Sequence, residues 1–249
     1  ALPILITDKQ KGVKYPLVSD ELLPDIAILD PELVKTVPNF ITADTGMDVL
    51  THALEAYVSK NATDFSDALA EKAATLVFKY LLKAYENGND IEAREKMHNA
   101  SCLARLAFNE ASLGVNHGIA HVLGGKFHVP HGRTNSILLP HVIEYNANIT
   151  SYNSKEFSEA AEKYAKIAKM VGLQGSNTRG LVKNLINEIK KMQKAMNMPT
   201  TLRECKVNCD ELKSLENEIA QLALKDACTE SNPRVPDEND IISILNKIK

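Results

Sequence analysis

From Pro38 to the last residues, apolar side chains recur every three or four positions, and no strand-like stretch interrupts them. That spacing marks helices that each bury one face. It predicts helices over residues 43–59, 64–85, 91–108, 114–123, 131–145, 155–171, 178–196, 209–227 and 237–247. In the first of these the stripe is Met47, Leu50, Leu54, Tyr57 and Val58. Pro130 marks a helix start before His131, and Asn208 followed by Glu211 suits a capping box. Pro199 and Ser231-Asn232-Pro233 read as loops. Such a chain is mainly α. The alternation of strand and helix that builds a doubly wound sheet is missing.

The first forty residues read differently. Residues 2–7, 14–18 and 25–29 suit short strands, broken at Gly12 and bounded by Pro24 and Pro31. With no crossover helices between them, they read as the last strands of a sheet. The expected division is residues 1–42, a remnant of an α/β domain, then an all-helical domain over 43–249.

Composition narrows the function classes. Of 249 residues, 44% are hydrophobic and 24% charged, enough for a packed core and against disorder. A net charge of −3, no tryptophan and 5% aromatics argue against a nucleic-acid or acidic-lipid partner. The four cysteines, at 102, 205, 209 and 228, fit neither a disulfide framework nor a zinc knuckle. Cys205 and Cys209 read as incidental reduced thiols. No apolar run has the ~20 residues of a membrane span, and the start does not read as a signal peptide. The expected compartment is the cytoplasm.

Chemistry is carried by two pairs. Asp48 and His52 are i and i+4 on one helix, opposite its apolar stripe, so both can reach one ion. Glu55 shares that face one turn further on. In GVNHGIAHVLGG, His117 and His121 repeat the same spacing between glycines. His131 follows at the proline-marked junction VPHGRTN. Each element has a plainer reading: an Asp/His pair is commonly a solvated helix face, and His-x-x-x-His is more often not a metal site. No HExxH is present, which argues against a thermolysin-like protease. No adjacent His-Asp pair points to a metal phosphohydrolase. His98, His128 and His141 have no paired spacing.

Taken together, these stretches resemble the iron-containing (group III) alcohol dehydrogenases. AILDPELVKTVPNFITADTGMDVLTHALE, residues 27–55, is similar to the family's first signature. GVNHGIAHVLGGKFHVPHGRT, residues 114–134, is similar to the second, and DACTESNPR, residues 226–234, resembles the C-terminal motif. The resemblance runs along essentially the whole chain. It implies a helical, dehydroquinate synthase-like metal-binding domain. It places the metal ligands on Asp48, His52, His117 and His131. His121 matches a histidine beside substrate and nicotinamide, and is the expected proton relay. Phe108 and Cys228 match positions lining the substrate pocket. Asn116 departs from the small or apolar residue common there.

The larger departure is the lack of a GGGS-type phosphate loop or any GxGxxG, so the cofactor-binding residues are unassigned and the chain reads as a C-terminal piece. The activity implied is reversible oxidation of a primary alcohol to an aldehyde with NAD or NADP, through an alkoxide held on the metal. Three imidazoles and a carboxylate suit Fe²⁺ and also Zn²⁺, so iron comes from the resemblance. A homodimer is common in the family. Rival readings are a glycerol dehydrogenase-like or dehydroquinate synthase-like relative, a non-catalytic helical metal-binding module, and a metallohydrolase.

Overall fold

The computed structural model describes residues 4–8, 13–17, 25–149 and 157–249. Two compact units divide the chain, residues 1–30 and 31–249.

In the first unit, β1 (Ile4–Asp8) and β2 (Val13–Leu17) form an antiparallel ladder, Ile4 opposite Leu17 and Asp8 opposite Val13. Pro16 is tolerated because a two-stranded sheet has only edges. The strand ends expected at Leu2, Pro3 and Val18, and the break at Gly12, lie outside the described residues. The third expected strand does not form: residues 25–30 are irregular, with Ile26 and Ile28 79% and 85% exposed. Alternating apolar residues make a strand only beside a ladder partner, and Asp25–Leu29 has none among the described residues.

The second unit is helical. A 3₁₀ turn at Pro31–Val34 leads to α1 (Asn39–Val58), followed by α2 (Asp64–Glu86), α3 (Ile91–Ala111), α4 (Val115–Phe127), α5 (His131–Ala147), α6 (Glu159–Met170), α7 (Thr178–Ala195), α8 (Cys209–Ser214), α9 (Glu216–Leu224) and α10 (Glu238–Lys247). The start expected at residue 155 lies outside the described residues. Local signals set the ends. Thr63 and Ser66 form a reciprocal capping box on α2, and Asp90, Ser158, Asn177 and Asn208 cap α3, α6, α7 and α8. The single helix expected over 209–227 is divided into two at Leu215, where Ser214 Oγ donates to Glu211 O (2.7 Å) beside the Leu215 N–H on the same carbonyl (3.1 Å).

α1 begins four residues earlier than its stripe suggests, since Pro38 fixes an extended N-cap (φ −57°, ψ 147°). It is buried on nearly all sides: Met47, Leu50 and Leu54 are 0% exposed, and Thr51 and Glu55 are buried with them. Each such apolar side chain contributes roughly 1.5–3 kcal/mol, so α1 is a firmly held axis. Arg94 of α3 fastens its start, donating to Thr42 Oγ1 (2.6 Å), Val37 O (3.0 Å) and Gly88 O (3.1 Å).

Two apolar clusters fill the interior. One joins α1, α2, α3, α6 and α7 with Leu139, Ile143 and Ala147 of α5. The other joins α4, α9 and α10 with Ile137, Leu138 and Val142 of α5. α5 therefore serves both, despite Pro140 in its interior. The proline removes one backbone donor and frees the carbonyl of Ser136. Buried Gln193 of α7 donates to that carbonyl at 2.6 Å. Among the described residues no helix is long and apolar enough to cross a membrane.

Candidate metal centre

The polar centre lies where α1, of the first cluster, meets α4 and the start of α5. α1 presents Asp48 and His52, α4 presents His117, and α5 opens with His131. The backbones come very close there. A Cβ on Gly132 would sit 2.2 Å from Asp44 O on α1, so only glycine lets the start of α5 lie on α1. Arg133 locks the contact with a two-pronged pair to Asp44 (3.1 and 2.8 Å).

Each of the four side chains offers a donor atom within 4.8 Å of the others. Asp48 Oδ1 is 3.7 Å from His117 Nε2 and 3.6 Å from His131 Nε2, while Asp48 Oδ2 is 3.8 Å from His52 Nδ1. The imidazoles of His52 and His117 stack at 4.5 Å, and those of His117 and His131 lie 5.3 Å apart. Donors bound to one ion at about 2.0–2.2 Å lie roughly 3–3.7 Å from each other, so the set fits a shared divalent cation.

Asn135, one turn into α5, shows the convergence independently. Its Nδ2 lies 2.6 Å from Asp48 Oδ1, 3.0 Å from His117 Nε2 and 3.1 Å from His131 Nε2. Three atoms of the set therefore surround one small volume. Asn116 Nδ2 donates to Asn135 Oδ1 (2.8 Å) and fixes which end of the amide faces the centre. Sequence reading missed Asn135 and treated Asn116 only as a departure. Their pairing, 19 positions apart on two helices, leaves no local signal.

Glu55 completes the framework. Buried at 2% exposure, its Oε2 is paired with His117 Nδ1, and its Oε1 accepts the Asn116 N–H (2.8 Å). A histidine giving Nδ1–H to a carboxylate presents Nε2 as an acceptor, the arrangement that orients metal-binding imidazoles.

Charge follows the same logic. Burial opposes ionisation of Asp48, but the imidazoles of His52, His117 and His131 outweigh it and hold the carboxyl well below the usual range. Burial, with help from His117, His131 and Arg105, pushes His52 down to about 3, against the pull of Asp48, so it is a neutral donor at pH 7. Burial lowers His117 as well, yet Glu55 and Asp48 lift it to about 9. The two carboxylates favour a proton on His117 Nε2, and a cation would displace that proton to take the nitrogen as a ligand.

His121 does not join the four. Its side chain is 43% exposed, its ring stacks on that of His131 at 5.3 Å, and its Nδ1 lies 2.9 Å from Asp226 Oδ2. Phe108 stacks on His52 at 4.6 Å and carries the Arg105 guanidinium 4.6 Å from its ring. Cys228 lies beside Asp226, its N–H donating to Asp226 Oδ1 (2.9 Å). An open groove lined by Ile137, His141, Lys190 and Gln193 runs along α5 and holds none of these groups.

Residues 42–249 match the family described as Fe-containing alcohol dehydrogenases, C-terminal, and the chain belongs to that family. It is 46% identical over 246 residues to the 1-propanol dehydrogenase PduQ of Citrobacter freundii, covering 98% of this chain and 64% of that protein. It is 44% identical over 241 residues to the NADPH-dependent butanol dehydrogenase of Clostridium saccharobutylicum, covering 97% and 59%. Among solved structures, a 1,3-propanediol oxidoreductase superposes with a TM-score of 0.89 at 38% identity, covering 98% of this chain and 61% of the other. The chain therefore spans about three fifths of the length of these relatives.

Proposed function

We propose that this chain is the metal-binding catalytic portion of an iron-dependent alcohol dehydrogenase. The observation that carries the reading is the convergence of Asp48, His52, His117 and His131, from three helices, within 4.8 Å. These four would hold one Fe²⁺, with Zn²⁺ as the competing ion because imidazole and carboxylate donors accept both. When bound, the ion supplies Lewis acidity that lowers the pKa of an alcohol oxygen or polarises an aldehyde carbonyl. The hydride partner is a nicotinamide, NAD or NADP, as the name of the butanol dehydrogenase relative suggests.

The chain's own residues do the rest. Glu55 keeps His117 in the tautomer that turns Nε2 inward. Asp226 holds His121 Nδ1, which leaves His121 Nε2 as the group that takes the alcohol proton and passes it to solvent, or returns it in the reverse direction. Exposure of His121 gives that proton a route out. Phe108 is a wall against His52 that excludes water from one side of the centre, and Cys228 lines the approach near His121. The substrate is a small primary alcohol or its aldehyde. Four free thiols suit a reducing compartment such as the cytoplasm.

Separating metal retention from rate tests the reading. His117→Ala and His131→Ala should lose the metal, whereas His121→Ala should keep it and lose at least tenfold in rate with an altered pH–rate profile. Full metal content in His117→Ala would remove that residue from the ligand set. Loss of metal in His121→Ala would remove the relay role.

A further inference from the structure

A second group of ligand-type side chains lies beside the centre: His121 of α4, with Asp226 and Cys228 from the segment after α9. Their donor atoms lie within 4.8 Å of one another, and His121 Nδ1 is 2.9 Å from Asp226 Oδ2. None of the three belongs to the four-donor set.

Backbone and side-chain bonds fasten this group. The segment carrying Asp226 and Cys228 turns back on itself through Thr229 N–H to Asp226 O (3.0 Å). Thr229 Oγ1 donates to Ala223 O (2.6 Å) and packs so tightly on α4 that a Cβ on Gly118 would be 2.1 Å from it. Ser231 Oγ donates to Leu113 O (2.8 Å), just before α4 begins. Two ligand positions are thereby clamped to the helix that carries the third. Asp226 keeps Oδ1 on the Cys228 N–H, so Oδ2 alone faces His121.

We propose that His121 Nδ1, Asp226 Oδ2 and Cys228 Sγ form a second divalent-metal site, selective for zinc or cadmium. Imidazole, carboxylate and thiolate with one solvent-facing position are a ligand set that zinc takes, with water as the fourth ligand. Sulfur separates this site from the all-nitrogen-and-oxygen centre and favours softer ions over Fe²⁺. Burial and the Asp226 carboxylate keep the Cys228 thiol protonated in the ordinary pH range. Binding therefore releases one net proton: the Cys228 S–H bond breaks, the sulfur–metal bond forms and that proton leaves to solvent, while His121 gives up its Nδ1 proton to take the ion there and gains one from solvent on Nε2. Partial exposure of His121 gives the ion its entry. Because the ion takes His121 Nδ1 and its Asp226 partner, zinc here stops the proton relay, a consequence that rests on the function proposed above.

Titration of the purified chain with Zn²⁺, and with Cd²⁺ for its ultraviolet thiolate charge-transfer band, tests the site. The wild-type chain should bind two equivalents, one of them with the cadmium–sulfur band. Cys228→Ser and Asp226→Asn should each lose the band and weaken that equivalent at least tenfold, with circular dichroism confirming an unchanged helical fold. Asp48→Asn should lose the other equivalent and keep the band. Two equivalents at unchanged affinity in Cys228→Ser, or a wild-type chain with one equivalent and no band, would overturn the proposal. In the enzyme turning over alcohol, zinc inhibition that disappears in Cys228→Ser supports the regulatory consequence. Zinc binding without inhibition keeps the site and overturns the relay.

Discussion

His117 and His121 stand one turn apart on α4, yet they meet opposite surroundings. His117 is 1% exposed and paired with Glu55, a carboxylate rooted in the buried axis α1. His121 is 43% exposed and paired with Asp226, a carboxylate in the segment after α9. Each has Nδ1 on an acid, so each presents Nε2. Spacing makes the two rings neighbours, but the segment on which each partner stands sets their surroundings. A partner on α1 points a ring at Asp48 and His52 and fixes it in the interior. A partner on the outer segment leaves the ring at the edge of the centre, in contact with water. On the function proposed above, the buried histidine would hold an ion in place and the exposed one would move a proton.

Given that contrast, removing the two acids should have different consequences. Glu55→Gln should cause the largest change, a loss of about 10–100-fold in metal affinity, the range for outer-shell partners of ligating histidines. Metal titration by calorimetry checks it, and affinity within twofold of wild type would dissolve the distinction. Asp226→Asn should leave the metal of the four-donor centre within twofold while lowering turnover roughly tenfold, within the usual worth of acid–base assistance. The readout is iron content beside rate measured across pH; loss of that iron would merge the two histidines into one role. Asn116→Val should have the smallest effect. It removes the amide that holds Asn135 but leaves the Glu55 bond to the backbone N–H, and one neutral hydrogen bond is worth about 0.5–1.5 kcal/mol. Metal affinity should fall about threefold to tenfold, and a hundredfold loss would make the Asn116–Asn135 pair, rather than Glu55, the main support.

The helical architecture was legible because the helices after Pro38 declare themselves locally, through an apolar period and, in several, a capping residue such as Thr63, Asp90 or Asn177. The break at Leu215 was not, since the apolar period runs on through it. The strand expected at Asp25–Leu29 failed for the converse reason: alternation is local, but a ladder needs a partner. The four side chains that converge could be named as candidate ligands because their residue types sit within long motifs. What orients them was mostly hidden. Glu55 could be seen on the face of Asp48 and His52, but its bond to His117 spans 62 positions, and the bond from Asp226 to His121 spans 105. Such partners are set by how α1, α4 and the segment after α9 pack, and no spacing rule along the chain encodes that.

Diffraction from crystals of the metal-loaded chain, measured at the absorption edge of iron or zinc, addresses the grip on the ion most directly. The expected result at the main centre is one anomalous peak about 2–2.3 Å from a carboxylate oxygen of Asp48 and from one nitrogen each of His52, His117 and His131. A peak bonded to His121 in place of His117 or His131, or no peak between α1, α4 and α5, would contradict the account.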